Sequence, residues 1–168
     1  MESTRIIGLD PSLVACGWGV IEVQGSKLRH IAHGVIRPPR KEPLPSRLSF
    51  LHLALIEVMS LYQPQEAGVE DMFMKDNAMS ALKLGQARAA CILAATGQGL
   101  NVGEYAPRLV KKSVVGTGTA DKAQVAHMMN ILLPGCGVKA GDAADALAIA
   151  VCHSHRVGSA NSILRRAV

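Results

Sequence analysis

Residues 5–10 read RIIGLD, a short apolar run that ends on an acid. A run of this length and composition predicts a buried strand. Two more strand-like runs follow, 16–23 (CGWGVIEV) and 28–36 (LRHIAHGVI), with a turn at Gly25-Ser26 between them. Together they predict a three-stranded meander. Pro38, Pro39, Pro43 and Pro45 then interrupt the chain, and 46–62 (SRLSFLHLALIEVMSLY) spaces its leucines and isoleucine for a helix. Pro64 ends that helix, and 66–70 (EAGVE) forms a fourth strand finishing on Glu70-Asp71. A long alanine-rich helix is predicted at 77–96, stopped by Gly97 and Gly99. A short strand at 101–105, a brief helix from Pro107 and a glycine-containing flexible loop at 113–120 (SVVGTGTA) come next. Asp121 caps a helix over 122–133, and Gly141 or Asp142 starts the last helix, which runs to about His155. A meander followed by alternating helices and strands defines an α/β domain, its mixed central sheet covered on both faces.

The 168 residues fit one domain, taken as 1–156, and suffice for a sizeable core. The polar, small-residue stretch and two arginines of 157–168 predict a flexible tail. Although 49% of residues are apolar, no run approaches the ~18–20 residues of a membrane span, and MESTRIIGLD lacks a signal-peptide core. The expectation is a soluble, cytoplasmic protein without a membrane partner. Lys and Arg number 18 against 13 Asp and Glu, a formal charge of +5 that favours a polyanionic partner without naming one. Cys16, Cys91, Cys136 and Cys152 show no CxxC spacing and read as reduced, partly buried thiols.

Four acids occupy contexts that otherwise look buried. Asp10 ends IIGL and Glu70 ends AGV, so both sit at carboxyl ends of strands, where functional groups collect in open α/β sheets. Their convergence requires the first and fourth strands to be neighbours. Asp142 and Asp145 lie three apart in GDAADALAIA and share a helix face, roughly 5–6 Å apart at Cβ. The flanking alanines predict close packing against the sheet. Two carboxylates on a packed face repel each other unless a cation neutralises them, and hard oxygen ligands suit Mg²⁺ or Mn²⁺ rather than zinc. Read alone, Asp142 is a helix cap or dipole partner; read as a set, the four acids form a cation site. His153 and His155 stand two apart and so fall on different helix faces. Gly116-Thr-Gly118 followed by Lys122 matches neither phosphate-loop pattern. Arg108, Lys111 and Lys112 form a basic cluster suited to contact with the phosphates of a polyanion. Lys122 read by itself is as readily a solvated helix-start lysine as a site residue.

RIIGLDPS with CGWGVI, SALKLGQARA, VKKSVVGTGTADKAQV and GDAADALAIA occur in this order over about residues 5–155. The set closely resembles the bacterial RuvC family of Holliday junction resolvases. The resemblance implies a ribonuclease H-like fold, a five-stranded mixed sheet flanked by helices on both faces. It implies a crossover junction endodeoxyribonuclease that binds four-way DNA junctions as a homodimer and makes paired symmetric nicks in homologous recombination and DNA repair. A branch-migration helicase complex of the same repair system is the implied protein partner. The family's catalytic, metal-binding acids fall on Asp10, Glu70, Asp142 and Asp145, and its lysines near the cleaved strand on Lys111 and Lys122. Its base-stacking aromatic falls on Phe73, one of two phenylalanines in the chain. The long helix from near Ser80 resembles the dimer-forming helix. The implied cofactor is Mg²⁺, two ions per site with Mn²⁺ as substitute; phosphodiester hydrolysis suits two cations about 3.5–4 Å apart, and Asp10, on the most central strand, is expected to bridge them. Two positions depart from the family: Ser12 stands where glycine is common, and Asp71 follows Glu70 but points to the other side of the strand. Two rivals fit parts of the pattern: another ribonuclease H-like nuclease, and a non-catalytic junction-binding protein, against which the four acids argue.

Overall fold

The apolar run forms β1, Thr4–Asp10, the middle strand of the sheet. The computed structural model describes residues 3–72 and 77–166, with side chains as far as Val157. Within them the chain forms β1, β2 (Cys16–Gln24), β3 (Lys27–Ile36), α1 (Leu44–Tyr62), β4 (Glu66–Glu70) and α2 (Ala78–Gly97). These are followed by β5 (Asn101–Tyr105), α3 (Pro107–Val115), α4 (Lys122–Leu132) and α5 (Asp142–Arg166). The five strands among the described residues are ordered β3-β2-β1-β4-β5. The meander is antiparallel, whereas β4 pairs parallel to β1 and β5 parallel to β4, giving the predicted mixed sheet.

Alternation along β1 divides the molecule. Ile7 and Leu9 enter a core with Leu51, Leu55 and Met59 of α1 and with the small residues Ala87, Cys91 and Ala94 of α2. Ile6 enters the opposite core with Leu147 and Ile149 of α5 and Val125 and Met129 of α4. Because the strand period is two, Gly8 and Asp10 share the Ile6 side. On that side α5 lies against the strand backbone itself. A Cβ at Gly8 would collide with the Ala146 carbonyl and stand 2.6 Å from the Ala150 nitrogen, and one at Gly17 would collide with the Asp142 carbonyl. Ala144 and every residue from Ala146 to Cys152 are fully buried, so the alanine-rich sequence of α5 is what allows this approach.

Several boundaries differ from expectation for identifiable reasons. α1 begins at Leu44, not 46, because Pro45 sits in the first turn, where a missing N–H has no intrahelical partner to lose. By length and mean hydropathy of 1.3 it also qualifies as long and apolar enough to cross a membrane, correcting the expectation that no stretch approaches that length. α3 continues to Val115, taking in residues read as loop: burial of Val114 outweighs poor helix propensity, and Gly116, at φ 89°, ends the helix. α5 continues beyond His155 to Arg166, since no proline follows and a single glycine weakens a helix by only about 1 kcal/mol. All four cysteines are free and buried, with the Cys16 and Cys91 sulfurs 3.8 Å apart.

Gly8→Ala should lower stability by about 1–3 kcal/mol, the usual consequence of overpacking, because α5 must move off the sheet. Gly97→Ala, at a position with open space around it, should be neutral or slightly stabilising. Urea denaturation of both variants against the parent checks the contrast.

Candidate active site

The sheet order makes β1 and β4 neighbours, as convergence of Asp10 and Glu70 requires. The parallel register pairs Leu9 with Val69, so Asp10 and Glu70 end their strands side by side. α5 starts at the same end of the sheet, and its first turn carries Asp142 and Asp145 on the face turned to β1. One carboxylate oxygen from each of Asp10, Asp142 and Asp145 lies within 4.8 Å of the others. Glu70 stands outside that tight group but lines the same cleft, which has a volume of about 430 Å³. Lys111, Lys122 and Ser12 also line it.

Burial and mutual repulsion dominate the electrostatics. Burial first, then the charges of Glu70, Asp145 and Asp142, push the Asp10 carboxyl up to about 8. Glu70 is pushed up to about 7, chiefly by burial and then by Asp145, with Lys111 and Lys122 acting in the opposite direction. Carboxylates gathered in this way, all offering oxygen atoms, fit a divalent cation and leave the set under strong repulsion otherwise. Lys122 partly relieves that repulsion: its Nζ is 3.1 Å from Asp145 and 3.5 Å from Asp142. The hydrogen bond to Asp145 is the largest influence holding its ammonium above the ordinary lysine range. Its placement is local in origin. Asp121 and Gln124 form a reciprocal capping box at the start of α4, and Lys122 is the first residue of that helix.

Of the basic cluster, only Lys111 reaches the cleft, one helical turn after Pro107; Arg108 and Lys112 are exposed on other faces of α3. Phe73 lies outside the described residues. Ser12 resolves one departure from the family pattern, since no positive φ is needed there: its hydroxyl accepts from the Val14 and Ala15 amides at 3.0 and 3.2 Å and closes the turn after Asp10. Asp71 turns away from the cleft, accepting from the Met72 amide and pairing with Arg88 at 3.1 Å. Arg88 is the residue that sequence reasoning missed. From α2 it donates to the Glu70 carbonyl at 3.3 Å and pairs with both Asp71 and Glu104, fastening the end of β4. A lone arginine on an alanine-rich helix face was the available signal. His153 is no ligand candidate: it is buried between the Tyr105 hydroxyl at 2.8 Å and Glu66 at 3.0 Å.

A carboxylate cluster at the end of the middle strand of a ribonuclease H-like sheet, with lysines at its rim, defines a nuclease of that fold class. Comparison with known proteins narrows the class. The family described as "Crossover junction endodeoxyribonuclease RuvC" matches residues 6–153. The RuvC of Maricaulis maris is 60% identical over 153 residues, covering 91% of this chain and 92% of its own. That of Azorhizobium caulinodans is 53% identical over 163 residues, covering 97% and 95%. The T. thermophilus RuvC solved in complex with Holliday junction substrate superposes with a TM-score of 0.84 at 33% identity, covering 94% of this chain and 96% of that one. The chain belongs to the RuvC family of crossover junction endodeoxyribonucleases.

In the folded protein Asp10 keeps its proton up to about pH 8, whereas an unperturbed aspartate loses it near 3.8. Because the unfolded chain ionises this carboxyl above about pH 4 while the fold holds it protonated, the cation-free fold loses stability progressively as pH rises from about 4 to 8, and loses none below. In EDTA at pH 8, Asp10→Asn should be more stable than the parent by on the order of a few kcal/mol, the gap closing towards pH 4. Thermal melts across that range check it; a less stable variant at pH 8 contradicts the electrostatic account.

Proposed function

We propose that this chain is a Holliday junction resolvase: a homodimeric endonuclease that binds four-way DNA junctions and nicks two opposing strands symmetrically by phosphodiester hydrolysis, serving homologous recombination and DNA repair in the bacterial cytoplasm. One observation carries the reading: a single cleft sets Asp10, Glu70, Asp142 and Asp145 against Lys111 and Lys122, in a chain whose T. thermophilus relative was solved on a Holliday junction substrate.

The four carboxylates would hold Mg²⁺, two ions in this reading with Mn²⁺ as substitute, which when bound supplies an activated water and neutralises charge on the attacking and leaving oxygens. The protein's own groups bind and orient the strand. Lys122, already at the carboxylates, places its ammonium beside the scissile phosphate and helps orient the attacking water. Lys111 holds that strand at the rim, while Arg108 and Lys112 contact neighbouring backbone phosphates outside the cleft. Phe73, three residues beyond Glu70 in the chain, stacks on an exposed junction base. The dimer reading is supported by the outer face of α2, where Leu82 and Leu93 are more than half exposed beside Ala89, and where the buried Gln86 side-chain oxygen has no partner among the described residues. The branch-migration helicase complex is the protein partner proposed for that dimer.

Asp145→Asn should slow nicking of a synthetic four-way junction in Mg²⁺ by at least about 10³-fold, equivalent to roughly 4 kcal/mol of barrier, while junction affinity stays unchanged. Retained nicking would remove Asp145 from the proposed ligand set. Lys122→Ala should slow single-turnover nicking about 10²-fold at saturating protein. Weakened binding with unchanged turnover on bound DNA would instead make Lys122 an anchor.

A further inference from the structure

A second cleft, of about 500 Å³, adjoins the carboxylate cleft, and Asp142 lines both. Its wall is formed by His33, Arg37, Lys139, Gly141 and Ala143, from the end of β3 and the loop that leads into α5. Arg37 and Lys139 are exposed and form no ion pair among the described residues. Two other cations near the sheet ends are already engaged: Arg88 is held by Asp71 and Glu104, and Lys122 by Asp142 and Asp145. His33 shares a 2.8 Å hydrogen bond with His30, and burial holds its ring towards the neutral form, so the positive charge of this wall comes from Arg37 and Lys139. Asp142 is the one acid of the lining, and its carboxylate is 3.5 Å from the Lys122 ammonium of the carboxylate cleft.

We propose that Arg37 and Lys139 form a phosphate subsite that holds the DNA backbone immediately beside the phosphate being cut. This rests on the endonuclease reading above. A strand seated with one phosphate among four carboxylates is repelled by them, and it must also continue past them in both directions. Lys111 and Lys122 supply positive charge on the α3–α4 side of the carboxylates. Arg37 and Lys139 supply it on the β3–α5 side, so the strand crosses the cluster between two cationic rims. The guanidinium of Arg37 offers a planar fork for two phosphate oxygens and Lys139 a compact charge. Neither reads a base, so the subsite sets register and affinity, not sequence preference.

The test uses the full-length protein and four-way junctions in which single phosphates on either side of the cut are replaced by uncharged methylphosphonates. Binding is followed by fluorescence anisotropy in Ca²⁺, and nicking by single-turnover assay in Mg²⁺. Arg37→Gln and Lys139→Gln should each weaken junction binding roughly three- to tenfold and reduce the slope of log affinity against log salt by about 0.9. Nicking rates at saturating protein should stay within about twofold, far from the 10²-fold loss of an acid–base group. One methylphosphonate position beside the cut should weaken binding by the parent yet leave the double variant unaffected. Unchanged affinity and salt slope in the double variant, alongside a parent that binds and nicks, overturns the subsite alone. A slower rate at saturation with unchanged affinity also overturns it. A parent that neither binds nor nicks overturns the endonuclease reading and the subsite with it.

Discussion

α5 rests directly on the backbone of β1 and β2, with no side chain between them at Gly8 and Gly17. That approach places the first turn of a buried helix against the end of a central strand. Asp142 and Asp145 reach the Asp10 carboxylate because the helix axis lies so close. A bulkier residue at either glycine would lift the helix and spread the three carboxylates apart. The same contact explains the composition of α5, in which alanines alternate with larger apolar residues through the fully buried stretch after Asp145. The remaining elements support this contact. α4 packs against α5 and delivers Lys122, and α2 holds the end of β4 through Arg88.

The arrangement carries an electrostatic penalty that folding alone does not relieve. Asp10 and Glu70 are driven towards their protonated forms chiefly by burial, then Asp10 by the charges of Glu70, Asp145 and Asp142 and Glu70 by that of Asp145. A protein selected only for stability would place apolar residues at these positions. Their clustering at one strand end fits a divalent cation, and Lys122 offsets only part of the repulsion.

Much of this was legible in the residues because local rules govern it. Short apolar runs ending in an acid identified Asp10 and Glu70, and a three-residue spacing on a helix paired Asp142 with Asp145. The capping role of Asp121 followed from its position before a helical run. Other features depend on contacts between distant segments. No local pattern in either strand dictates that β1 lies beside β4. Arg88 looks like any surface arginine until the Glu70 carbonyl, Asp71 just beyond β4 and Glu104 of β5 supply its partners. Arg37 and Lys139 are separated by about a hundred residues, and only the packing of the α5 entry loop against the end of β3 brings them to one cleft. The end of α3 was misplaced because burial of Val114 overrode weak helix propensity.

We propose that these carboxylates, gathered by α5 on β1, form the cation site. The most direct measurement is an NMR titration with Mn²⁺, whose paramagnetism broadens nearby amide signals. Amide signals of Asp10, Ser12, Asp71 and Gly141 to Asp145 should broaden first and recover when Mg²⁺ is added in excess. Broadening that begins elsewhere, or that persists unchanged in Asp10→Asn, would contradict this assignment.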